Sequence, residues 1–112
     1  MISRVWHGWT TRANADAYEK LLREEILPGI HRVRGFKGAH VLRRELRELK
    51  DRGPKDKDEV EFVTITQFDS LDTVKEFAGE DYEVAVILPE AHRLLVRFDA
   101  RSTHYETVLQ LD

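Results

Sequence analysis

Two histidines near opposite ends of the chain have the chemistry for proton transfer. His7 lies between Trp6 and Trp9, and His104 precedes Tyr105. Because the pKa of histidine lies near neutrality, its free nitrogen can remove a proton from a phenol or an activated carbon. We therefore predict His7 as the catalytic base and His104 as a second catalytic residue that orients the substrate. The alternatives are that His7 packs in a sheet beneath a helix and that His104 lies at an interface between two copies of the chain.

A second set of residues has the chemistry to line a pocket for an aromatic molecule. Hydroxyl groups inside a cavity orient a ligand by hydrogen bonds, and aromatic side chains stack on it. The predicted substrate-binding residues are Trp6, Trp9, His40, Thr64, Thr66 and Phe68. The alternative for the threonines is a simple strand-forming role, and the alternative for His40 is an exposed position at the edge of the core.

The histidines do not have the spacing of a metal site. The chain has five of them and no cysteine, and no two histidines form an HxH or HxxxH pair. The sequence also contains no glycine-rich phosphate loop and no Gly-x-Ser-x-Gly motif. We therefore expect no metal site and no other cofactor.

The composition predicts one small folded domain over residues 1–112. Of the 112 residues, 41% are hydrophobic and 35% are charged, and the formal net charge is −3. This length suffices for a buried core, and the near-neutral charge argues against binding to nucleic acid. The longest apolar run, residues 84–89, is too short to cross a membrane. Since no signal-peptide pattern is present, we expect a cytoplasmic protein that binds no membrane.

The spacing of the apolar residues predicts the order β-α-β-β-α-(α)-β. The predicted elements are a strand over residues 2–10, a helix from an N-cap at Asn14 that ends or kinks near Leu27, a strand over 36–47, a hairpin loop over 50–58, a strand over 59–68, a helix from an N-cap at Ser70 to Gly79, a short helix from Pro89 to Leu95, and a last strand over 96–110.

The strands present alternate residues to opposite faces. In the strand over 59–68, Val63 and Ile65 share one face, and Phe62, Thr64, Thr66 and Phe68 share the other. The first strand has two possible orientations. The residues that face a pocket are either Arg4, Trp6 and Gly8 or Val5, His7 and Trp9.

This element order predicts an α+β fold of the ferredoxin-like βαββαβ type, with an antiparallel four-stranded sheet and helices on one side. The uncovered face of such a sheet would expose apolar and aromatic side chains to water. We therefore expect it to meet a second copy across a two-fold axis. The result would be a homodimeric α/β barrel, with a cavity between the two sheets.

Four segments resemble the antibiotic biosynthesis monooxygenase family. They are residues 5–10, 35–44, 62–82 and 103–106. The resemblance implies a dimeric α/β barrel over nearly the whole chain. It also implies one of two chemistries, because some members oxidise polycyclic phenols to quinones with molecular oxygen and no cofactor, whereas others degrade haem. Haem-degrading members use an asparagine, a tryptophan and a histidine at positions where this chain has His7, Phe68 and either Val86 or Ile87.

The residues and the resemblance lead to one expected function and two alternatives. We expect a cofactor-independent monooxygenase that acts on a small aromatic or polyphenolic substrate inside the barrel. The first alternative is a barrel without catalytic activity that binds a small apolar ligand or has a stress-related role. The second is a structural dimer with a filled interior, which a cavity too small for a bicyclic ring would favour.

Overall fold

The computed structural model describes residues 1–46 and 59–111, which form five strands and four α-helices. The predicted loop over residues 50–58 lies outside the described residues. The elements are β1 (Ile2–Thr11), α1 (Arg12–Leu21), a π-helical segment (Leu22–Ile26), α2 (Leu27–His31), β2 (Phe36–Glu45), β3 (Glu59–Phe68), α3 (Leu71–Ala78), α4 (Pro89–Leu94), β4 (Leu95–Phe98) and β5 (Thr103–Glu106).

The strands form one antiparallel sheet in the order β2-β3-β1-β4, and β5 also pairs with β1. This architecture confirms the predicted α+β, ferredoxin-like class. The prediction of a single last strand, and hence of a four-stranded sheet, is wrong. The chain leaves the sheet edge after Phe98, because the backbone of Ala100 and Ser102 bonds instead to Ala85 and Glu83. It then returns as β5 to pair with the first half of β1.

The first helix differs from its prediction at both ends. Its N-cap is Thr11, whose Oγ1 accepts a hydrogen bond from the backbone N–H of Asn14 at 3.1 Å. The helix does not end before Pro28 but continues into α2 through the π-helical segment. In that segment the N–H of Leu27 bonds to the carbonyl of Leu22. This wider turn accommodates Pro28, which lacks an N–H and would clash with the carbonyl four residues earlier in a regular helix.

The two faces of the sheet have different environments. The helices cover the interior face, where the core residues include Tyr18, Phe62 and Phe68. The predicted division of β3 is confirmed, because Thr64 and Thr66 are buried on the side of Phe62 and Phe68. Val63 and Ile65 lie on the opposite, open face and are only partly buried. Helix α3 begins at Ser70 as predicted, with Ser70 Oγ accepting from the N–H of Thr73.

Candidate functional site

A cavity of about 70 Å³ lies between the interior face of the sheet and the helices. Strands β1 and β3 form its floor, and residues of all four helices and of the segment 86–88 form its walls. The lining is mainly apolar, with polar groups from Arg4, Trp6, Thr64, Thr66 and Ser102 among others. Pockets that hold drug-sized ligands measure about 300–1,000 Å³. The cavity is therefore far smaller than such a pocket, and an aromatic ligand requires a wall to move. Since it is also too small for a bicyclic ring, its size favours the alternative of a structural dimer with a filled interior.

Three of the predicted substrate-binding residues come together at this cavity. Trp6 and Thr64 are paired neighbours on β1 and β3, and Thr66 lies one pair further along the same face. The indole Nε1 of Trp6 donates to the backbone carbonyl of Asp99 at 2.8 Å, which fixes the ring. Thr64 is 8% exposed, and its Oγ1 has no hydrogen-bond partner among the described residues. That oxygen is itself enclosed, so a ligand oxygen or N–H could supply the partner only after the side chain or the cavity wall shifts.

Arg4 places a positive charge at the cavity wall. Its side chain is buried, and its Nη1 donates to the carbonyl of Tyr82 at 2.5 Å and contacts His104 Nε2 at 3.0 Å. Its Nη2 donates to the carbonyl of Val84 at 3.2 Å, and its guanidinium lies 5.5 Å from the centre of the Phe77 ring. Burial lowers the pKa of Arg4 to about 10, so the group is still cationic at neutral pH.

His104 lies behind Arg4 and is not part of the cavity lining. Because Arg4 can only donate, the 3.0 Å contact makes His104 Nε2 the acceptor and puts the ring proton on Nδ1. Nδ1 is buried and has no partner among the described residues. The pKa of His104 is lowered, first by burial and then by the charge of Arg4, while Glu83 acts in the opposite direction. The ring is therefore neutral near pH 7, and its Nε2 accepts a hydrogen bond from Arg4.

His7 lies on the open face of the sheet, on the side opposite the threonines. Its Nδ1 is 2.7 Å from Oδ2 of Asp99, and its backbone N–H donates to the same oxygen at 3.1 Å. This contact orients the imidazole and leaves Nε2 free of a hydrogen bond to the described residues. The structure thus does not bring His7 together with Thr64 and Thr66, because residues of opposite parity on paired strands point to opposite faces.

The remaining predicted residues also lie outside the cavity. Trp9 shares the open face with His7, and the guanidinium of Arg97 lies 4.2 Å from the centre of its ring. His40 is exposed on β2 opposite Ile65. Phe68 is fully buried in a second core cluster, where it stacks on Phe77 at 5.8 Å. It is a core residue, and the cavity lining does not include it.

Comparison with known proteins gives matches in structure alone. No protein-family model and no curated protein matches the sequence significantly. The chain superposes on a candidate antibiotic biosynthesis monooxygenase from Bacillus cereus with a TM-score of 0.62 at 13% identity, covering 100% of this chain and 95% of the other. A second candidate monooxygenase, from Deinococcus radiodurans, gives a TM-score of 0.61 at 15% identity over 100% and 97% of the two chains.

The chain has the antibiotic biosynthesis monooxygenase fold. An ethyl tert-butyl ether (ethd) family protein from Bacillus halodurans also matches, with a TM-score of 0.55 at 11% identity over 96% and 100% of the two chains. The fold is therefore shared by proteins with differently named activities. At these sequence identities, the structural similarity supports a monooxygenase-like fold. It does not assign a substrate or active-site residues.

Within this monooxygenase-like fold, the described residues contain no cluster of three or more histidine, aspartate and glutamate side chains able to hold a metal ion. No helix in the described part of the chain is both long and apolar enough to span a membrane.

Among the polar residues of the cavity, Arg4 is expected from the sequence in only one of the two orientations of the first strand, and Ser102 is not expected. Arg4 shares the interior face of β1 with Trp6, and Ser102 reaches the cavity from the segment that separates β4 from β5. A signal for Arg4 existed, because period-two alternation places it on the same face as Trp6. Ser102 gave no such signal, since it was assigned to a continuous strand.

Proposed function

We propose that this protein is a cofactor-independent monooxygenase that acts on a small, electron-rich aromatic molecule in the interior cavity. The observation that carries the proposal is the buried hydroxyl of Thr64, which has no hydrogen-bond partner among the described residues. Thr64 lines the mainly apolar cavity beside the fixed ring of Trp6. Buried polar groups are normally paired, so an unpaired one at a cavity indicates a ligand. Thr64 and Thr66 would orient the substrate, and Trp6 would form a stacking wall.

The proposed reaction converts a phenol and one molecule of oxygen into a quinone and one water. A carbon–oxygen bond forms between the ring carbon of the ionised phenol and oxygen, and the resulting peroxide takes up a proton. The oxygen–oxygen bond then breaks as the ring C–H proton leaves, so that one oxygen atom remains as a carbonyl and the other departs as water. The substrate supplies all four electrons, and the balance therefore requires no separate reductant.

The size of the cavity sets the expected substrate. A volume of about 70 Å³ is below that of a cavity able to hold benzene, about 150 Å³, so the wall must shift even for one ring. The segment 86–88 is the part of the wall that we expect to move, because it lies outside the named helices and strands. The two preceding residues are held in place, since Val84 forms a β-bridge with Arg101 and Ala85 bonds to Ala100. Single-ring polyphenols are accordingly the first substrates to test.

The test is oxygen uptake by the purified protein without added flavin, metal or haem. The panel runs from trihydroxybenzenes through naphthols to anthrones, with heat-inactivated protein as the blank for autoxidation. We expect uptake above the blank with the smallest substrates, and a fall in uptake in Thr64→Val. The matched control is Thr103→Val, which makes the same chemical change on the open face of the same sheet. Equal uptake in wild type and Thr64→Val would contradict the proposed role of the cavity.

A second candidate function is ligand binding without catalysis. One observation favours it: the cavity lining contains no histidine, aspartate or glutamate among the described residues, and Nε2 of His104 is occupied by Arg4. The cavity thus offers no free base. Binding that raises the melting temperature, combined with no oxygen uptake across the panel, would identify this function instead.

We also propose that the protein is a homodimer that forms through the open face of the sheet. That face carries the partly buried rings of His7 and Trp9 together with Val63 and Ile65. At its edges, Leu42 is 52% exposed and Tyr105 is 57% exposed. Apolar surface of this kind is typical of an interface with a second copy. Light scattering coupled to size-exclusion chromatography measures the oligomeric state directly, and a monomer at micromolar concentration would contradict the proposal.

A further inference from the structure

Arg4 lines the cavity, and its buried guanidinium has no negative partner among the described residues. Its three hydrogen-bond partners, Tyr82 carbonyl, Val84 carbonyl and His104 Nε2, are all neutral groups. Arg4 is only 5% exposed. A buried charge is costly unless an opposite charge and further hydrogen bonds compensate it, so an anion in the cavity would relieve this cost.

Among the described residues, no carboxylate near Arg4 compensates its positive charge. The cavity lining has none among the described residues. Glu83 is close enough to influence His104, but its carboxylate bonds to Arg101 at 3.2 Å on the surface. His104 is itself neutral, because its Nε2 accepts from Arg4. The charge of the cavity wall is therefore positive.

Arg4 also has N–H groups that donate to none of the described residues. A guanidinium carries five N–H groups, and the contacts to the described residues use both hydrogens of Nη1 and one of Nη2. The Nε–H and one Nη2–H remain. The cavity lining also contains the buried Thr66, which is the paired neighbour of Arg4 across the sheet, and Thr64, whose hydroxyl has no partner among the described residues. These residues would together supply donors for an oxyanion in the apolar cavity.

We propose that the ligand of the cavity is an aromatic acid or acidic phenol, bound with its ionised oxygen against Arg4. This inference deepens the proposed function and rests on it, since it names the class of molecule that the same cavity accepts. The phenolate is also the electron-rich form of a phenol that reacts with oxygen. Arg4 would thus select the reactive form of the substrate, and His104 would act as a positioning residue that holds the guanidinium in place.

The first experiment measures the ionisation of a bound probe, 4-nitrophenol, whose phenolate absorbs visible light. An arginine in contact with an acid lowers the pKa of that acid by about one to three units. We expect a decrease of this size for 4-nitrophenol bound to wild-type protein, so that the phenolate binds about tenfold to a thousandfold more tightly than the phenol. An apolar cavity without a usable charge would raise the pKa instead, and such a rise would overturn the inference.

The second experiment compares benzoate with benzamide, which share a ring and a shape but differ in charge. We expect benzoate to raise the melting temperature of the wild-type protein and benzamide to have little effect. Equal effects of the two would overturn the role of Arg4 while the proposed cavity function stands. If neither molecule binds and 4-nitrophenol does not bind, the proposed function itself fails. Because both experiments use the wild-type protein, they do not depend on a variant that folds.

Variants then assign the effect to one residue. Arg4→Gln should abolish the pKa decrease of bound 4-nitrophenol, and Arg4→Lys should retain part of it, because the ammonium keeps the charge but loses the planar fork. The matched control is Arg23→Gln, which removes an exposed arginine that pairs with Glu19 on α1 and is not part of the cavity lining. A full pKa decrease in a folded Arg4→Gln variant would contradict the assignment.

Discussion

Replacement of Thr64 by valine should stabilise the protein and weaken ligand binding at the same time. Thr64 is 8% exposed, and its Oγ1 has no hydrogen-bond partner among the described residues. Valine has nearly the same shape without the hydroxyl, so the folded state no longer contains a buried unpaired oxygen. The cost of such a group is about 1–3 kcal/mol. We expect a gain near the lower end, about 1 kcal/mol, because the adjoining cavity can admit a water molecule.

The assay is guanidinium chloride unfolding together with thermal unfolding. A gain of about 1 kcal/mol in a domain of this size corresponds to an increase of about 4 °C in melting temperature. The matched control is Thr10→Val, since Thr10 is fully buried and its Oγ1 also lacks a partner, but it does not line the cavity. We expect both variants to gain stability, and we expect only Thr64→Val to bind 4-nitrophenol less tightly.

Three results would refute this reasoning. A loss of stability in Thr64→Val would mean that the hydroxyl has a strong partner in the folded protein. Unchanged binding of 4-nitrophenol by a stabilised Thr64→Val variant would mean that the hydroxyl does not contact the ligand. Weaker binding in Thr10→Val would show that the effect passes through the strand and not through the cavity.

Four further predictions follow from the packing and the charges. Phe68→Ala should lower the free energy of unfolding by about 3–5 kcal/mol, measured by guanidinium chloride unfolding, because the ring is fully buried. The free energy of unfolding should fall as the pH drops below 6.5, the pKa of an unperturbed histidine, because the lowered pKa of His104 in the folded state means that the unfolded chain binds a proton more readily. Urea unfolding at a series of pH values should show a smaller change of the unfolding free energy with pH in His104→Gln. Gly35→Ala should destabilise by at least about 1 kcal/mol in thermal unfolding, because Gly35 has φ +92° and a Cβ there would lie 2.7 Å from Thr73 Oγ1. Ile65→Glu should convert the proposed dimer into a monomer in light scattering, and a dimer in that variant would exclude this face as the interface.

The sequence predicts the sheet well where period-two alternation is unambiguous. In β3, apolar and threonine residues alternate, and the sorting of Val63 from Thr64 follows from the geometry of any strand. The first strand was ambiguous, since Trp6 and Trp9 are both large and aromatic. The structure resolves it in favour of Trp6, which lies over the cavity, while Trp9 lies on the open face under Arg97. Either arrangement would have buried one tryptophan, so composition alone could not decide.

Two of the differences from prediction depend on contacts between segments that are distant in sequence. The last strand breaks because Ser102 and Ala100 form backbone hydrogen bonds with Glu83 and Ala85. Arg4 is buried on the interior face, where two carbonyls and His104 accept its hydrogen bonds. Local propensity contains neither contact. The helix continues past Pro28 for a local reason, because a π-helical segment, which is rare and has no simple sequence pattern, precedes it.

The division of the sheet into two faces also separates two kinds of chemistry that the sequence places side by side. Trp6 and His7 are neighbours in the chain, yet Trp6 borders the cavity and His7 lies on the open face. Asp99 joins them, because its carbonyl accepts from the indole of Trp6 and its carboxylate contacts His7. The ordering of His7 by Asp99 therefore has a structural reason that requires no substrate. Three buried polar atoms have no partner among the described residues, namely Thr10 Oγ1, Thr64 Oγ1 and His104 Nδ1. Of these three residues only Thr64 lines the interior cavity, and the uncompensated charge of Arg4 lies at the same cavity. A ligand that binds between the sheet and the helices would therefore explain the Thr64 hydroxyl and the charge of Arg4.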